Sequence, residues 1–185
     1  MSAIFRFFEA RLEPRIESDF VERQDRAFAI QFADALQARD HMFSAENHLR
    51  SHNSDEPKAI YLAQKYSSRL LDRYGKPPGV YVHCFALLKY GVGGGMAVHT
   101  DRMDAECCDC VLSAVMYLND EYEGGEITFP KIRKSYHPRP GACISYPTLW
   151  PAYDHGVNTV TAGTRYVMAW CFTTNADRAF KPYLP

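Results

Sequence analysis

The chain has 185 residues, 46% of them hydrophobic, 23% charged and 14% aromatic, a globular composition that excludes disordered and collagen-like classes and leaves room for one domain with a sizeable core. A formal charge of -1 and an isoelectric point near 6.6 supply no basic field for phosphate backbones, so nucleic acid is not expected as a partner. The opening stretch MSAIFRFFEARLEPRIESDF interrupts its apolar residues with Arg6, Glu9 and Arg11, unlike a signal peptide, and no run reaches membrane-spanning length. A cytoplasmic protein without membrane contact is expected, with all six cysteines as reduced thiols.

From Phe20 to Leu49 apolar residues recur at three- and four-residue steps among Ala, Gln and Arg, which predicts helix broken near Asp40. Ser51 to Glu56 reads as a polar loop. Pro57 is placed to open a second helix, PKAIYLAQKYSSRLLDRYG, that Gly75 and Pro77 would stop. After Pro78 the texture changes to short runs rich in Val, Tyr, Phe, Ile and Thr between turn residues: VYVHCFALLKY, CVLSAVMYLN, GEITFP, ACISYP, HGVNTV and TRYVMAWCF. These predict the strands of an all-β sandwich or barrel. The expectation is a single domain, mostly helical over 1–78 as support for a β core over 79–175.

The chemistry gathers around YGVGGGMAVHTD, residues 90–101, where His99 and Asp101 sit one residue apart. Alternate side chains of an extended segment share a side, so the imidazole and carboxylate would converge. His155, in YDHGVNTV, could be brought opposite them by a sandwich. Two histidines and one carboxylate leave one face of a metal open, as in non-haem iron(II) oxygenases. Ten residues beyond His155 stands Arg165, whose planar fork suits a carboxylate and whose charge is costly to bury without one. Cys107, Cys108 and Cys110, in ECCDC, lack both the paired spacing and the second pair of a structural zinc site and read as a loop edge and strand start. His41, His48, His52, His83 and His137 have no partner at ligand spacing and read as surface or packing residues.

The ordered motifs YGVGG, HTD, VMYLNDEYEGGEITFP, PRPGACISYP and the His155–Arg165 spacing, from Tyr81 to Phe172, resemble the 2-oxoglutarate- and iron(II)-dependent dioxygenases, nearest to their prolyl 4-hydroxylase-like branch. The resemblance implies an α+β fold, a double-stranded β-helix (jelly-roll) core with N-terminal helices packed against it. It implies iron(II) on His99, Asp101 and His155, with 2-oxoglutarate and dioxygen as cosubstrates and ascorbate as an accessory reductant. Arg165 would hold the far carboxylate of 2-oxoglutarate, Tyr117 would reach it as well, and Tyr90 would form a wall of that site. Collagen-modifying members carry lysine where this chain has Arg165, which loosens any inference about collagen. Asp101 favours hydroxylation over halogenation, and Cys171 stands where nucleic-acid demethylases carry a second arginine. The expected substrate is a free amino acid or other small metabolite, with a prolyl residue in a protein or peptide as the alternative. A reading of another class is a catalytically idle metal-binding jelly roll.

Overall fold

Period-two patterning after residue 78 resolves into antiparallel strands in the computed structural model, which describes residues 14–37, 48–52, 56–102 and 109–181. The major sheet takes strands in the order β1-β9-β5-β12-β3-β2: β1 (Arg15–Glu17), β9 (Cys143–Pro147), β5 (Cys110–Tyr117), β12 (Arg165–Thr173), β3 (Tyr81–Tyr90) and β2 (His48–His52). A minor sheet runs β4-β10-β7-β8, from β4 (Met96–His99), β10 (His155–Val157), β7 (Ile127–Phe129) and β8 (Lys134–Tyr136), and β6 (Tyr122–Gly124) pairs with β11 (Val160–Gly163). This is the expected jelly roll.

Alternation along β12 and β3 divides the interior into two cores. Phe85, Leu87, Met168, Trp170 and Phe172 point outward and pack with Ala59, Leu62, Ala63, Tyr66 and Leu70 beneath the helices α1 (Arg23–Gln37) and α2 (Pro57–Arg73). Ala86, Leu88, Tyr90 and Val167 point inward and meet Tyr117, Ile127, Phe129 and Tyr146 between the sheets. Arg165, two residues before Val167, shares that inner face. Tyr90, Tyr117 and Arg165 are therefore held by strands whose opposite face is anchored on helices.

One polar cluster ties the helices together. The buried Tyr66 hydroxyl on α2 donates to Asp25 Oδ2 on α1 at 2.6 Å and accepts from the Glu22 backbone N–H at 3.0 Å, while Lys65 reaches the same Asp25 oxygen at 2.8 Å. Tyr66→Phe keeps the ring but leaves the N–H and the buried carboxylate short of a partner, a cost of about 1–3 kcal/mol. Denaturant unfolding should show that loss with the activity of the folded protein unchanged.

The end of the stretch expected to be helical is strand instead. α1 ends at Gln37, residues 38–47 lie outside the described residues, and His48–His52 form β2, with His48 opposite Tyr90 and His52 opposite Ala86. The loop expected from Ser51 thus begins inside a strand. Pairing with the outer edge of β3 satisfies main-chain groups and outweighs the local preference of a short polar segment. β1 is a second strand within the stretch expected to be helical, paired with β9. HGVNTV divides into β10 and β11 around Asn158.

The expectation of six reduced thiols is corrected as well. Adjacent strands β5 and β12 bring the α-carbons of Cys110 and Cys171 to 6.1 Å, within disulfide range, and the two sulfurs are bonded. Cys107 and Cys108 lie outside the described residues. Among the described residues no helix is long and apolar enough to cross a membrane.

Candidate active site

His99 closes β4 and His155 opens β10, and the two are register partners, so the ladder itself sets the imidazoles side by side with ring centroids 4.5 Å apart. Asp101 arrives from the turn after β4. Its Oδ1 lies 3.6 Å from His99 Nε2 and 3.9 Å from His155 Nε2. The convergence expected of an extended His-x-Asp is reached, although the strand stops at the histidine. Of the glycines before it, Gly95 has a backbone reason: a Cβ there would lie 2.9 Å from the Val157 carbonyl oxygen, so only glycine lets the chain press against β10.

Each imidazole turns Nδ1 to a main-chain carbonyl, His99 to Ala97 at 2.9 Å and His155 to Tyr153 at 3.2 Å. A carbonyl only accepts, so Nδ1 carries the proton and Nε2 keeps its lone pair toward the shared point. Burial alone would raise the Asp101 carboxyl, but His155, His99 and the Ser113 hydroxyl hold it well below the usual carboxylate range. Burial lowers the His155 imidazole against the pull of Asp101, which favours the neutral form a metal needs. Two imidazole nitrogens and one ionised carboxylate, with ligand atoms all within 4.8 Å of one another, suit an iron(II) ion with open positions.

Arg165 is 1% exposed. Its guanidinium carbon lies 4.9 Å from the ring centre of Tyr90 and 5.1 Å from that of Tyr117, and Nη2 donates to the Tyr117 hydroxyl at 3.3 Å. Nε and Nη1 are buried without an acceptor. Burial pushes the Tyr117 hydroxyl up to about 12 despite the neighbouring guanidinium, so it stays a neutral donor. A buried cation with unpartnered donors, ringed by phenols, suits an anion.

All six residues expected in the site therefore fall in one interior, with the triad at the cleft and Tyr90 and Tyr117 stacked on Arg165. Sequence reasoning missed Tyr122, whose buried hydroxyl has no hydrogen-bond partner and feels the Arg165 charge. Gly125 bears on the site as well. At φ +66, a Cβ there would stand 2.9 Å from Arg165 Cδ, so the glycine also makes way for the arginine. Tyr146 was missed too, with its hydroxyl 2.9 Å from His155 Nε2. Of the histidines expected to be surface or packing residues, His137 stacks on Tyr122 and His83 Nδ1 meets the Arg178 carbonyl oxygen.

Asp101 borders an open cleft, not a packed core. Asp101→Gly should lose metal-dependent turnover yet melt close to the parent when both are stripped of metal. Melting far below the stripped parent would make Asp101 a structural residue.

Residues 85–173 match the model of the 2OG-Fe(II) oxygenase superfamily. A 66-residue stretch, 33% of this chain, is 38% identical to prolyl 3-hydroxylase 2 of Rattus norvegicus, of whose length it covers 9%. The fold is shared with a viral collagen prolyl hydroxylase of Paramecium Bursaria Chlorella virus-1 solved with 2OG, at TM-score 0.70 and 17% identity over 86% of this chain and 94% of that one. It is likewise shared with a prolyl-4-hydroxylase of Pseudomonas putida, at 0.69 and 18% over 88% and 93%. A prolyl hydroxylase of Trichoplax adhaerens, solved with a hypoxia inducible factor peptide fragment, gives 0.64 and 16% over 92% and 85%. The matched span runs from the middle of β3 to the end of β12, through both histidines, Asp101 and Arg165, and over that span the chain matches the 2OG-Fe(II) oxygenase superfamily and shares the fold of the prolyl hydroxylases named above.

Proposed function

We propose that this oxygenase hydroxylates an unactivated C–H bond of a prolyl residue in a peptide or protein, with His99, Asp101 and His155 holding iron(II) and Arg165 holding the far carboxylate of 2-oxoglutarate. The observation that carries the cosubstrate assignment is the buried guanidinium with two unpartnered nitrogens on the same inner face as the cleft. Tyr117 supplies a second donor, and Tyr122, whose hydroxyl also lacks a partner, supplies a third. Tyr90 walls the guanidinium from the other side. When bound, iron(II) with 2-oxoglutarate and dioxygen supplies the oxidation that places one oxygen atom in the substrate C–H bond, the cosubstrate leaving as succinate and carbon dioxide. The protein's part is orientation and dryness. Fixing the far carboxylate limits how the keto acid end can approach the triad, and Phe129 and Tyr146 pack around His155 to keep water from its inner side.

The cleft beyond the triad favours a neutral guest. Cys84, Ala86, Ser113, Val115, Ala169 and Cys171 line it, and among the described residues that lining offers no charged pair for the ammonium and carboxylate of a free amino acid. A pyrrolidine ring whose termini are already peptide bonds makes no such demand. This supports the peptidyl alternative over the small-metabolite reading. The related enzymes named above for collagen prolyl hydroxylation and for a peptide complex support the same choice. Succinate formation should be stimulated by proline-containing peptides and not by free amino acids at equal concentration. Stimulation by an amino acid alone would restore the small-metabolite reading.

A further inference from the structure

A phenol lies against the ligand set where an apolar ring would fill the same space. Tyr146 on β9 is 1% exposed, and its ring packs at 5.1 Å on Phe129, 6.3 Å on Tyr153 and 4.8 Å on His155. Shape alone would accept phenylalanine. The hydroxyl instead brings a buried polar atom that must find a partner, and it finds His155 Nε2 at 2.9 Å, the nitrogen whose lone pair faces the metal position. Since Nδ1 of that ring holds its proton against Tyr153, the phenol is the donor and Nε2 the acceptor.

We propose that Tyr146 is a positioning residue for the metal centre: its hydroxyl holds His155 in place before metal binds, then transfers its hydrogen bond to the Asp101 carboxylate once Nε2 is taken by the metal. The inference rests on the assignment of His99, Asp101 and His155 as iron ligands. Metal on Nε2 removes the phenol's acceptor, and a buried hydroxyl does not stay without one. Asp101 is the neighbour with capacity to spare, because its Oδ2 is buried and has no partner. The Asp101 carboxylate lies within reach of the Tyr146 hydroxyl and, being ionised, can only accept, so the phenol is the donor there as well. A hydrogen bond to an ionised carboxylate is worth more than one to a neutral imidazole, so the exchange favours the loaded state. It also fixes which carboxylate oxygen is left for the metal.

The test compares the parent with Tyr146→Phe, which keeps the ring and its packing. Affinity for iron(II) and cobalt(II) is measured by chelator competition, with the visible spectrum of the cobalt form and the melting of the metal-free proteins recorded alongside. The expected result is roughly tenfold weaker binding of both metals, as loss of one charge-assisted hydrogen bond implies. The cobalt spectrum should shift with it, and the metal-free protein should melt no lower than a lost neutral hydrogen bond allows. Binding within about twofold of the parent and an identical cobalt spectrum would leave Tyr146 a packing residue and overturn the inference, with the ligand assignment intact. A strong visible band in the iron(III)-loaded parent that vanishes in Tyr146→Phe would make the phenol a ligand and overturn it in another way. Absence of metal binding by the parent would remove the ligand assignment, and this inference with it.

Discussion

Arg165→Leu is expected to raise the concentration of 2-oxoglutarate needed for half-saturation by roughly 30-fold or more while leaving iron(II) binding intact. A surface arginine could be exchanged for leucine with little consequence, but this one is buried, with Nε and Nη1 unpartnered. Holding a carboxylate there with a charge-assisted pair contributes about 2–4 kcal/mol, which sets the size of the loss. The substitution also removes the contacts with Tyr90 and Tyr117, so folding is checked first by melting. Arg165→Lys should recover part of the affinity, because an ammonium keeps the charge without the planar fork. Calorimetric titration of the iron-loaded, oxygen-free variants with 2-oxoglutarate decides the matter. Equal affinity in Arg165→Leu would move the cosubstrate site elsewhere.

His99→Ala and His155→Ala should each abolish turnover and weaken iron(II) binding by more than about 100-fold, since loss of a group that merely supports a ligand already costs 10–100-fold. The two should part company in stability. His155 is 6% exposed and packs against Tyr146 and Phe129, so its truncation opens a hole and strands the Tyr146 hydroxyl. His99 stands at the cleft with less packed around it, and its alanine variant should melt close to the metal-free parent. Full activity in both variants would dissolve the triad.

The residues that carry chemistry were legible because their types and order are informative without three dimensions. A His-x-Asp, a distant histidine and an arginine ten residues later have few joint purposes, and the structure gathers all four. The strands of the core were legible for a similar reason, since alternation along YVHCFALLKY and RYVMAWCF already divides outward from inward residues. What stayed hidden depends on pairing across long separations. Nothing local to His48–His52 says that β3 has a bare edge for it. Tyr122 and Tyr146 were not singled out, because a strand tyrosine is ordinarily a core aromatic. Only the fold shows a hydroxyl left over beside Arg165 and another against His155. Cys110 and Cys171 are 61 residues apart, and only the adjacency of β5 and β12 brings them together.

The central claim, oxidative hydroxylation of peptidyl proline at this site, is tested most directly by one reaction under isotopically labelled dioxygen. Iron-loaded protein, 2-oxoglutarate and a proline-containing peptide are combined, and peptide and succinate are analysed by mass spectrometry. The account predicts that the peptide gains one labelled oxygen atom on proline, that one labelled atom enters succinate, and that both disappear in His155→Ala. Succinate formed without any labelled peptide, whichever proline sequence is offered, would contradict the proposed substrate. Label in neither product would contradict the account of the site itself.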